Sequence, residues 1–215
     1  EDEARLVMAD LDGNHTVFGG EVEGGAASPD GRWYIGRTPL AESFPDDGMA
    51  DRATTGVMRL NLNTGEADLL ISAEEAIRVH PEGDQIRPRH LYAKQFKFQP
   101  RTGRFFFMFG TGSLSRYYDE THTHNLYTAR LDGSEVRCLG TPSDHPMWHP
   151  TKEVILANVW ADGGGKRFGL FDAKEGFIGH VGEFEGGGHP SFDPAGRLIV
   201  TDHRWQDDGE GKSRL

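Results

Sequence analysis

The chain has 215 residues, with 34 acidic and 23 basic side chains and a formal net charge of −11. This excess of negative charge argues against a nucleic-acid partner, because binding to phosphates requires a basic surface. The one cysteine excludes an internal disulfide, and no run of about 18 apolar residues predicts a membrane span. The length suits one sizeable core, and we expect a single domain over residues 1–215.

Four hairpins with a glycine in the turn are predicted along the chain. Each has a short apolar strand on either side of the turn, and aspartate followed by glycine suits the left-handed backbone of a tight hairpin. The four turns are Asp12-Gly13, Thr64-Gly65, Asp132-Gly133 and Glu175-Gly176. Because turn sequences recur about every ten residues and helical periodicity is nearly absent, the pattern predicts an all-β fold.

A second kind of hairpin, with a proline in or beside the turn, alternates with the first. Proline in this position fits the dihedral angles of such turns. The four turns are Ser28 to Gly31, Gln99 to Gly103, His149 to Lys152 and Asp193 to Gly196. One repeating unit therefore has four antiparallel strands, A to D, in which the proline turn joins A to B and the glycine turn joins C to D. In chain order the sequence predicts CD, ABCD, ABCD, ABCD and AB.

One phrase occurs twice, at a spacing of 44 residues. His145-Pro146-Met147-Trp148-His149-Pro150 recurs as His189-Pro190-Ser191-Phe192-Asp193-Pro194, and a turn and an apolar run follow each copy. A period of this length with four strands is typical of a β-propeller blade. The aromatic residues of the two copies, Trp148 and Phe192, are predicted to pack between blades. We therefore predict a β-propeller of four-stranded antiparallel blades, with about four blades' worth present.

The first and last predicted units are half-blades, which leaves strand edges open. Propellers of about 4–8 blades close into a ring and so hide their edges. We therefore expect the sequence to be incomplete at both ends, with the remaining blades missing from this chain. Closure by another copy of the chain is the alternative.

Three predicted connections are longer than the others, and they run from Pro39 to Gly56, from Ser72 to Arg89 and from Gly112 to His124. Long connections inside a compact domain are usually functional or disordered. Within the second of them, Ala73 to Ile77 is predicted to form one helical turn.

Histidines are predicted to collect on one face of the propeller. The B–C and D–A connections share a face, and the innermost strand A begins there, so residues at its start line the mouth of the central channel. The residues at such starts are His90, His145 and His189. Converging imidazoles favour a divalent transition metal or proton transfer. A hydrogen-bonded structural role is the alternative for any one of them.

Four further histidines are predicted on the same face, and one of them, His80, lies in a D–A loop. His122 and His124 lie in a B–C loop, where alternate residues of an extended segment point the same way, as a metal would require. A solvated polar loop is the alternative for this pair. His203 ends a B strand.

Longer segments of the sequence resemble one enzyme family. The phrase at His145 to Pro150, the segment Gly188 to Arg197 with the following Ile199 to Asp202, and the preceding segments His90 to Pro100 and Asn125 to Leu139 resemble the oligogalacturonate lyase family. The resemblance covers about residues 88 to 205. Its strand phrases are shared with TolB-type propellers in general, so they indicate the fold better than the chemistry.

The resemblance implies a seven-bladed propeller that cleaves short pectin oligomers by β-elimination. It also implies a manganese ion, or another divalent cation, held mainly by histidines, with His145 and His189 as ligands. Members of the family are usually cytoplasmic. A periplasmic or secreted protein is the alternative, because a targeting signal can lie outside this sequence.

The β-elimination implied by the resemblance sets chemical requirements that residues on the predicted face meet. The proton next to the uronate carboxylate becomes acidic when a metal or an arginine neutralises that carboxylate, and a base with a pKa near 7 must reach it. The predicted metal ligands are His145, His189, His203 and Asp202, and Asp202 equally suits a role in orienting an imidazole. The predicted catalytic residues are His90, His122, His124, Arg89 and Arg116. The predicted substrate-binding residues are Tyr117, Tyr118, Trp160, Arg204 and Trp205, and packing is the alternative for the two tryptophans.

Two functions are therefore predicted from the sequence. The first is a metal-dependent polysaccharide-lyase-like enzyme that acts on an acidic, uronate-containing oligosaccharide. The second is a non-catalytic TolB-type propeller that binds a protein or a carbohydrate on its B–C/D–A loop face.

Overall fold

The structure, a computed structural model, describes residues 5–43, 49–87, 90–111, 123–142, 144–161, 165–182 and 187–202. Within these residues the chain forms antiparallel β-sheets joined by turns and short helices. This architecture confirms the predicted all-β class. No helix in the described ranges is long and apolar enough to cross a membrane.

The first and the last sheets of the described chain have two strands each. They contain β1 (Leu6–Ala9) with β2 (His15–Phe18), and β15 (Ser191–Phe192) with β16 (Ile199–Val200). Apolar side chains on both of these sheets are exposed. Such exposure is expected of two strands alone, which offer little cover to each other's side chains.

Three four-stranded sheets lie between these two along the chain, and in each the spatial order of the strands follows the chain order. The first contains β3 (Glu23–Ala27), β4 (Trp33–Arg37), β5 (Gly56–Asn61) and β6 (Ala67–Ser72). The second contains β7 (Leu91–Phe98), β8 (Phe105–Thr111), β9 (His124–Ala129) and β10 (Arg137–Gly140). The third contains β11 (Asp144–Trp148), β12 (Val154–Trp160), β13 (Lys166–Asp172) and β14 (Gly176–His180). The number of blades in a closed ring remains a prediction.

Short helices occupy two of the long connections, and they are α1 (Leu40–Ser43), α2 (Ala73–Val79) and α3 (Gly83–Ile86). The predicted helical turn at Ala73 is confirmed as the start of α2. Ser72 caps this helix, because its hydroxyl accepts a hydrogen bond from the amide of Glu75 at 3.1 Å. The ring of His80, just after α2, lies 3.0 Å from Asn125 Oδ1 and is held in place as a structural residue.

The core lies between successive sheets, and β8 shows why. Every residue from Phe105 to Phe109 is buried. Because successive side chains of a strand point to opposite faces, Phe105 and Phe107 join the core with the first four-stranded sheet, while Phe106 and Met108 join the core with the third. Because β8 is buried on both faces, its sequence is a continuous apolar run and not an alternation of apolar and polar residues.

The repeated phrase packs the third sheet against its neighbours. Trp148 is buried, its ring centroid lies 5.6 Å from that of Phe106, and its Nε1 donates to the carbonyl oxygen of Lys97 at 2.9 Å. His149 Nδ1 accepts from amides of its own turn, and its Nε2 donates to the carbonyl oxygen of Gly196 at 3.1 Å. These contacts confirm the packing role predicted for Trp148 and assign a structural role to His149.

The first strands of the sheets lie together, since β3 and β11 both contact β7. Residues at the beginning of these strands are therefore brought to one end of the fold. This arrangement positions the candidate site.

Candidate functional site

His145 lies at the beginning of β11 in an unusual backbone conformation. Its φ is 51°, a left-handed value that residues other than glycine seldom adopt. The pairing of β11 with β12 shifts between Asp144 and Met147, which is the mark of a β-bulge. Bulges redirect side chains out of the regular alternation. The bulge therefore sets the direction of the His145 side chain.

His145 and His189 meet, although 44 residues separate them in the chain. Their ring centroids are 4.2 Å apart, and the ring planes are inclined by 51°. His145 comes from the beginning of β11, and His189 lies just before β15. The structure thus brings together the two histidines of the repeated phrase, while their role as metal ligands stays a prediction.

Asp202 holds the imidazole of His189. Its Oδ2 lies 2.8 Å from His189 Nδ1, and its Oδ1 accepts a hydrogen bond from the His189 amide. The bond from the imidazole, followed by that from the amide, lowers the pKa of Asp202 to about 2. Because a carboxylate only accepts, the proton of a neutral His189 ring lies on Nδ1, and the lone pair on Nε2 can take a proton.

The backbone before His189 requires glycine. Gly188 has a φ of 72°, and a Cβ at this position would lie 1.7 Å from the carbonyl oxygen of Asp202. Close approach of two backbone segments is a use for which glycine is suited. Gly188 therefore allows Asp202 to reach both the amide and the ring of His189.

Asp144 ties His145 to the neighbouring strands. Its carboxylate accepts hydrogen bonds from Asn158 Nδ2 and Lys166 Nζ, both at 2.8 Å, and its Oδ1 lies 3.9 Å from His145 Nε2. Burial raises the pKa of Asp144, but the bonds from Lys166 and Asn158 outweigh this effect and lower it. Burial lowers the pKa of His145, which favours a neutral ring near pH 7.

Asn158 connects the two histidine segments. Its side chain is fully buried, its Nδ2 also donates to the carbonyl oxygen of Gly188, and its Oδ1 accepts from the amide of Gly187, both at 3.0 Å. The side-chain amide of Asn158 thus links Asp144, which precedes His145, to the segment before His189. Asn158 could not be identified from the sequence, because an asparagine inside a predicted strand does not show which groups lie opposite it.

A second pair of nitrogen groups lies on the second sheet. Lys94 of β7 is only 6% exposed, and its Nζ lies 2.7 Å from His124 Nε2 on β9. Burial lowers the pKa of Lys94 to about 8, and Asp144 opposes this shift electrostatically. His124 was a predicted site residue, whereas Lys94 was not.

Trp160 ends β12 next to the site with a largely free ring. Its side chain is among the exposed large hydrophobic residues, at 66%. Lys166 Nζ lies 5.1 Å from the ring centroid. An exposed aromatic face beside a cation and a carboxylate can stack on an apolar face of a sugar ring.

The remaining predicted residues fall into two groups. His90 is half-buried directly before β7. The others lie outside the described residues, and they are Arg89, Arg116, Tyr117, Tyr118, His122, His203, Arg204 and Trp205. Their predicted roles stay predictions.

The described residues do not by themselves fit a complete metal site. No group of three or more His, Cys, Asp or Glu residues that could hold a metal ion occurs among them. His145 and His189 supply two imidazoles, but Asp202 is bonded to His189 and Asp144 is bonded to Lys166. Protein metal sites usually supply three or four ligands. The third predicted histidine, His203, lies outside the described residues.

Comparison with known proteins identifies the fold. No protein-family model matches the chain, and no curated protein matches it. The crystal structure of TolB from Acinetobacter baumannii superposes with a TM-score of 0.54 at 16% identity, over 94% of this chain and 43% of that chain. The fold is a TolB-like β-propeller. An oligogalacturonate lyase in complex with manganese gives a TM-score of 0.40 at 16% identity, over 94% of this chain and 68% of that chain.

The likeness to TolB shows the fold alone, because identity is low. The chain spans less than half the length of that TolB. The activity, the substrate and the partners of the whole protein are therefore proposals, and they are argued from the chemistry of the site.

Proposed function

We propose that the protein is a polysaccharide-lyase-like enzyme that cleaves a uronate-containing acidic oligosaccharide by β-elimination. The observation that supports this most directly is the meeting of His145 and His189 with the carboxylate of Asp202 behind His189. A carboxylate that orients an imidazole is a usual arrangement for a general base. The same site has Lys166 and Trp160 at its rim.

In the proposed reaction, His189 Nε2 takes the proton next to the uronate carboxylate. The electron pair of that C–H bond forms the new double bond, and the C–O bond to the leaving sugar breaks. Lys166 uses one of its three donors on Asp144, so the others can bind the substrate carboxylate and stabilise the charge that develops on it. The leaving oxygen then needs a proton, for which His90, His122 and His124 are the predicted candidates.

A manganese ion, or another divalent cation, is an alternative use of the same two histidines, and no step above depends on it. His145 and His189 would be ligands only together with a further group, for which His203 is predicted. Because Nδ1 of His189 is bonded to Asp202, its Nε2 would bind the ion and could not also take the substrate proton. A bound cation would neutralise the substrate carboxylate. Metal analysis of the purified protein tests this alternative, with loss of bound manganese expected in His145→Ala.

The experiment that tests the enzyme follows the absorbance of the unsaturated product during incubation with oligogalacturonides and other oligouronides. We expect a rise with the wild type and a fall of at least about 100-fold in rate with His189→Ala, because the base is lost. Circular dichroism should show the same fold in both. No absorbance change with any of the uronides would contradict the proposal.

Trp160 offers a test of sugar binding that is separate from catalysis. Replacement of Trp160 by alanine should weaken binding of an oligouronide by about tenfold, because a stacked ring contributes on the order of 1 kcal/mol. Isothermal titration calorimetry measures the dissociation constant. Phe177→Ala, which removes another exposed aromatic ring of the third sheet, is the control and should leave binding unchanged. Equal weakening in both variants would argue against a sugar platform at Trp160.

The alternative function is a non-catalytic TolB-type propeller that binds a protein or a carbohydrate on the same face. The likeness to TolB, at a TM-score of 0.54, is the observation that favours it. Oligouronide binding in calorimetry without any unsaturated product would select this alternative.

Cytoplasmic localisation, with a periplasmic or secreted protein as the alternative, remains a prediction, as does a ring of seven blades.

A further inference from the structure

A groove lies at the end of β11 that is opposite to His145, and three successive sheets contribute to it. Its volume is about 220 Å³. The second four-stranded sheet supplies the end of β7, the third supplies the end of β11, and the last sheet supplies β15 and the turn after it. The apolar part of the lining includes Phe98, Met147, Trp148, Phe192 and Pro194. Walls of rings and a thioether suit a flat apolar group.

Lys97 is the basic residue of this lining, and it is half-buried. Its Nζ donates to the carbonyl oxygen of Pro146 at 3.2 Å and lies 3.7 Å from Sδ of Met147, which also lines the groove. An ammonium has three donors, and a thioether sulfur is only a weak acceptor. The amine therefore lies at the wall of the groove with donors left for a ligand.

Within the described part of the chain, no carboxylate forms an ion pair with Lys97. Asp193, the acidic residue of the lining, uses its carboxylate on its own turn, where it accepts from the amides of Arg197 and Leu198 at 2.5 and 2.7 Å. Burial lowers the pKa of Lys97, as expected of a desolvated ammonium without an anion beside it. The groove thus combines an apolar wall with a cation that an external anion can neutralise.

We propose that this groove binds a small aromatic carboxylate, with the acid group on Nζ of Lys97 and the ring on the apolar wall that Met147 and Phe192 supply. Charge complementarity selects the acid, because a hydrogen bond between an ammonium and a carboxylate is strong where water is partly excluded. Pockets for drug-sized ligands have about 300–1,000 Å³, so the smaller groove suits a molecule with one ring. The site is separate from the two histidines and does not depend on the proposed function.

Phenylacetate is the probe, and carbon-13 NMR of the methionine methyl groups of the full chain detects it at Met147. The Met147 signal is identified by its loss in Met147→Leu. For a ligand of this size we expect a dissociation constant on the order of 1 mM. Phenylacetamide, which has the same shape without the charge, and acetate, which has the charge without the ring, should each bind at least about tenfold more weakly. Equal affinity for phenylacetate and phenylacetamide, or no shift of the Met147 signal at about 10 mM phenylacetate, would overturn the proposal.

Two substitutions locate the site independently of each other. Lys97→Met should weaken phenylacetate binding by about tenfold or more and leave phenylacetamide binding unchanged, because only the charge is lost. Lys152→Met, which removes an exposed lysine from the turn after β11, is the matched control and should bind phenylacetate as the wild type does.

The second substitution fills the groove and keeps the amine. Ser191 is an exposed lining residue in a strand, where an aromatic residue is well tolerated. Ser191→Phe should abolish phenylacetate binding, whereas Ser191→Ala keeps the space and should bind normally. Full binding by Ser191→Phe would overturn the location, also if Lys97→Met fails to fold.

A short peptide that ends in phenylalanine presents the same two groups at a chain end. We expect it to bind no more tightly than phenylacetate, because the groove has no room for the rest of the peptide. Tighter binding of the peptide would overturn the small-molecule ligand in favour of a protein partner. If the wild type cleaves no oligouronide but binds phenylacetate as described, the proposed function fails and this site stands.

Discussion

Replacement of Arg104 by alanine is expected to destabilise the fold by about 3–5 kcal/mol. Its side chain is fully buried, it pairs with Glu135 in the turn of its own sheet, and its Nε lies 3.4 Å from Glu153 of the next sheet. Alanine would leave a cavity and deprive both carboxylates of the cation that joins the two sheets. Urea unfolding, with the midpoint and the slope measured for both proteins, gives the change in free energy of unfolding.

Arg130 provides a matched control for this prediction. It also pairs with Glu135, but its side chain is 40% exposed. Exposed ion pairs contribute little, so Arg130→Ala should leave the free energy of unfolding almost unchanged. A similar loss in the two variants would show that Arg104 does not join the sheets in the way the structure indicates.

The repeating unit could be predicted from the sequence because its signals are local. The glycine of each C–D turn has a positive φ, for example 81° at Gly133 and 87° at Gly176, and the sequence shows that glycine directly. The apolar run of β8 is likewise visible in the sequence. Its burial on both faces follows once the strand is placed inside a stack of sheets.

The position of His189 next to His145 could also be predicted from the sequence. Two copies of one phrase place equivalent residues at equivalent points of neighbouring units, and in a propeller those points lie side by side. For Asp202, two roles remained open in the sequence. The structure shows the carboxylate bonded to the ring of His189.

The polar network around the histidines could not be predicted, because each of its bonds crosses between segments distant in the chain. Lys94 lies in a strand of mixed apolar and polar residues, yet it is buried, because this strand also contacts the first strands of the two neighbouring sheets. Asp144 and Lys166 are 22 residues apart. The left-handed conformation of His145 depends on a bulge, and no residue of the repeated His-Pro phrase indicates that bulge in the sequence.

Replacement of Asp202 by asparagine is expected to lower kcat/KM by about 100-fold or more. Asparagine is nearly the same size, but its amide can donate to His189 Nδ1 and so hold the ring with its proton on Nε2, where the lone pair is needed. The carboxylate has a pKa of about 2, so it stays charged as pH falls from 7 to about 4. Any loss of rate over that range should therefore come from protonation of imidazoles. Initial rates of the wild type and of Asp202→Asn, measured over this pH range, test both expectations.

Asp193→Asn is the matched control, because it makes the same change in the same hairpin at the proline turn. The carboxylate of Asp193 accepts a hydrogen bond from the amide of Leu198 at 2.7 Å and supports the turn. Its loss should lower stability slightly and leave the rate of the folded protein unchanged. A large loss of activity in Asp193→Asn would attribute the Asp202 effect to the hairpin as a whole.

The Asp202→Asn variant also separates the two roles of His189. If His189 is the base, added manganese cannot restore the rate, because the lone pair on Nε2 is still occupied by a proton. If His189 is a metal ligand, the variant should contain less manganese than the wild type, since a carboxylate behind a histidine raises its affinity for metal by about 10–100-fold, and excess manganese should then restore most of the rate. Metal content and rate, measured on the same samples before and after addition of manganese, therefore decide between proton transfer and metal binding at this histidine.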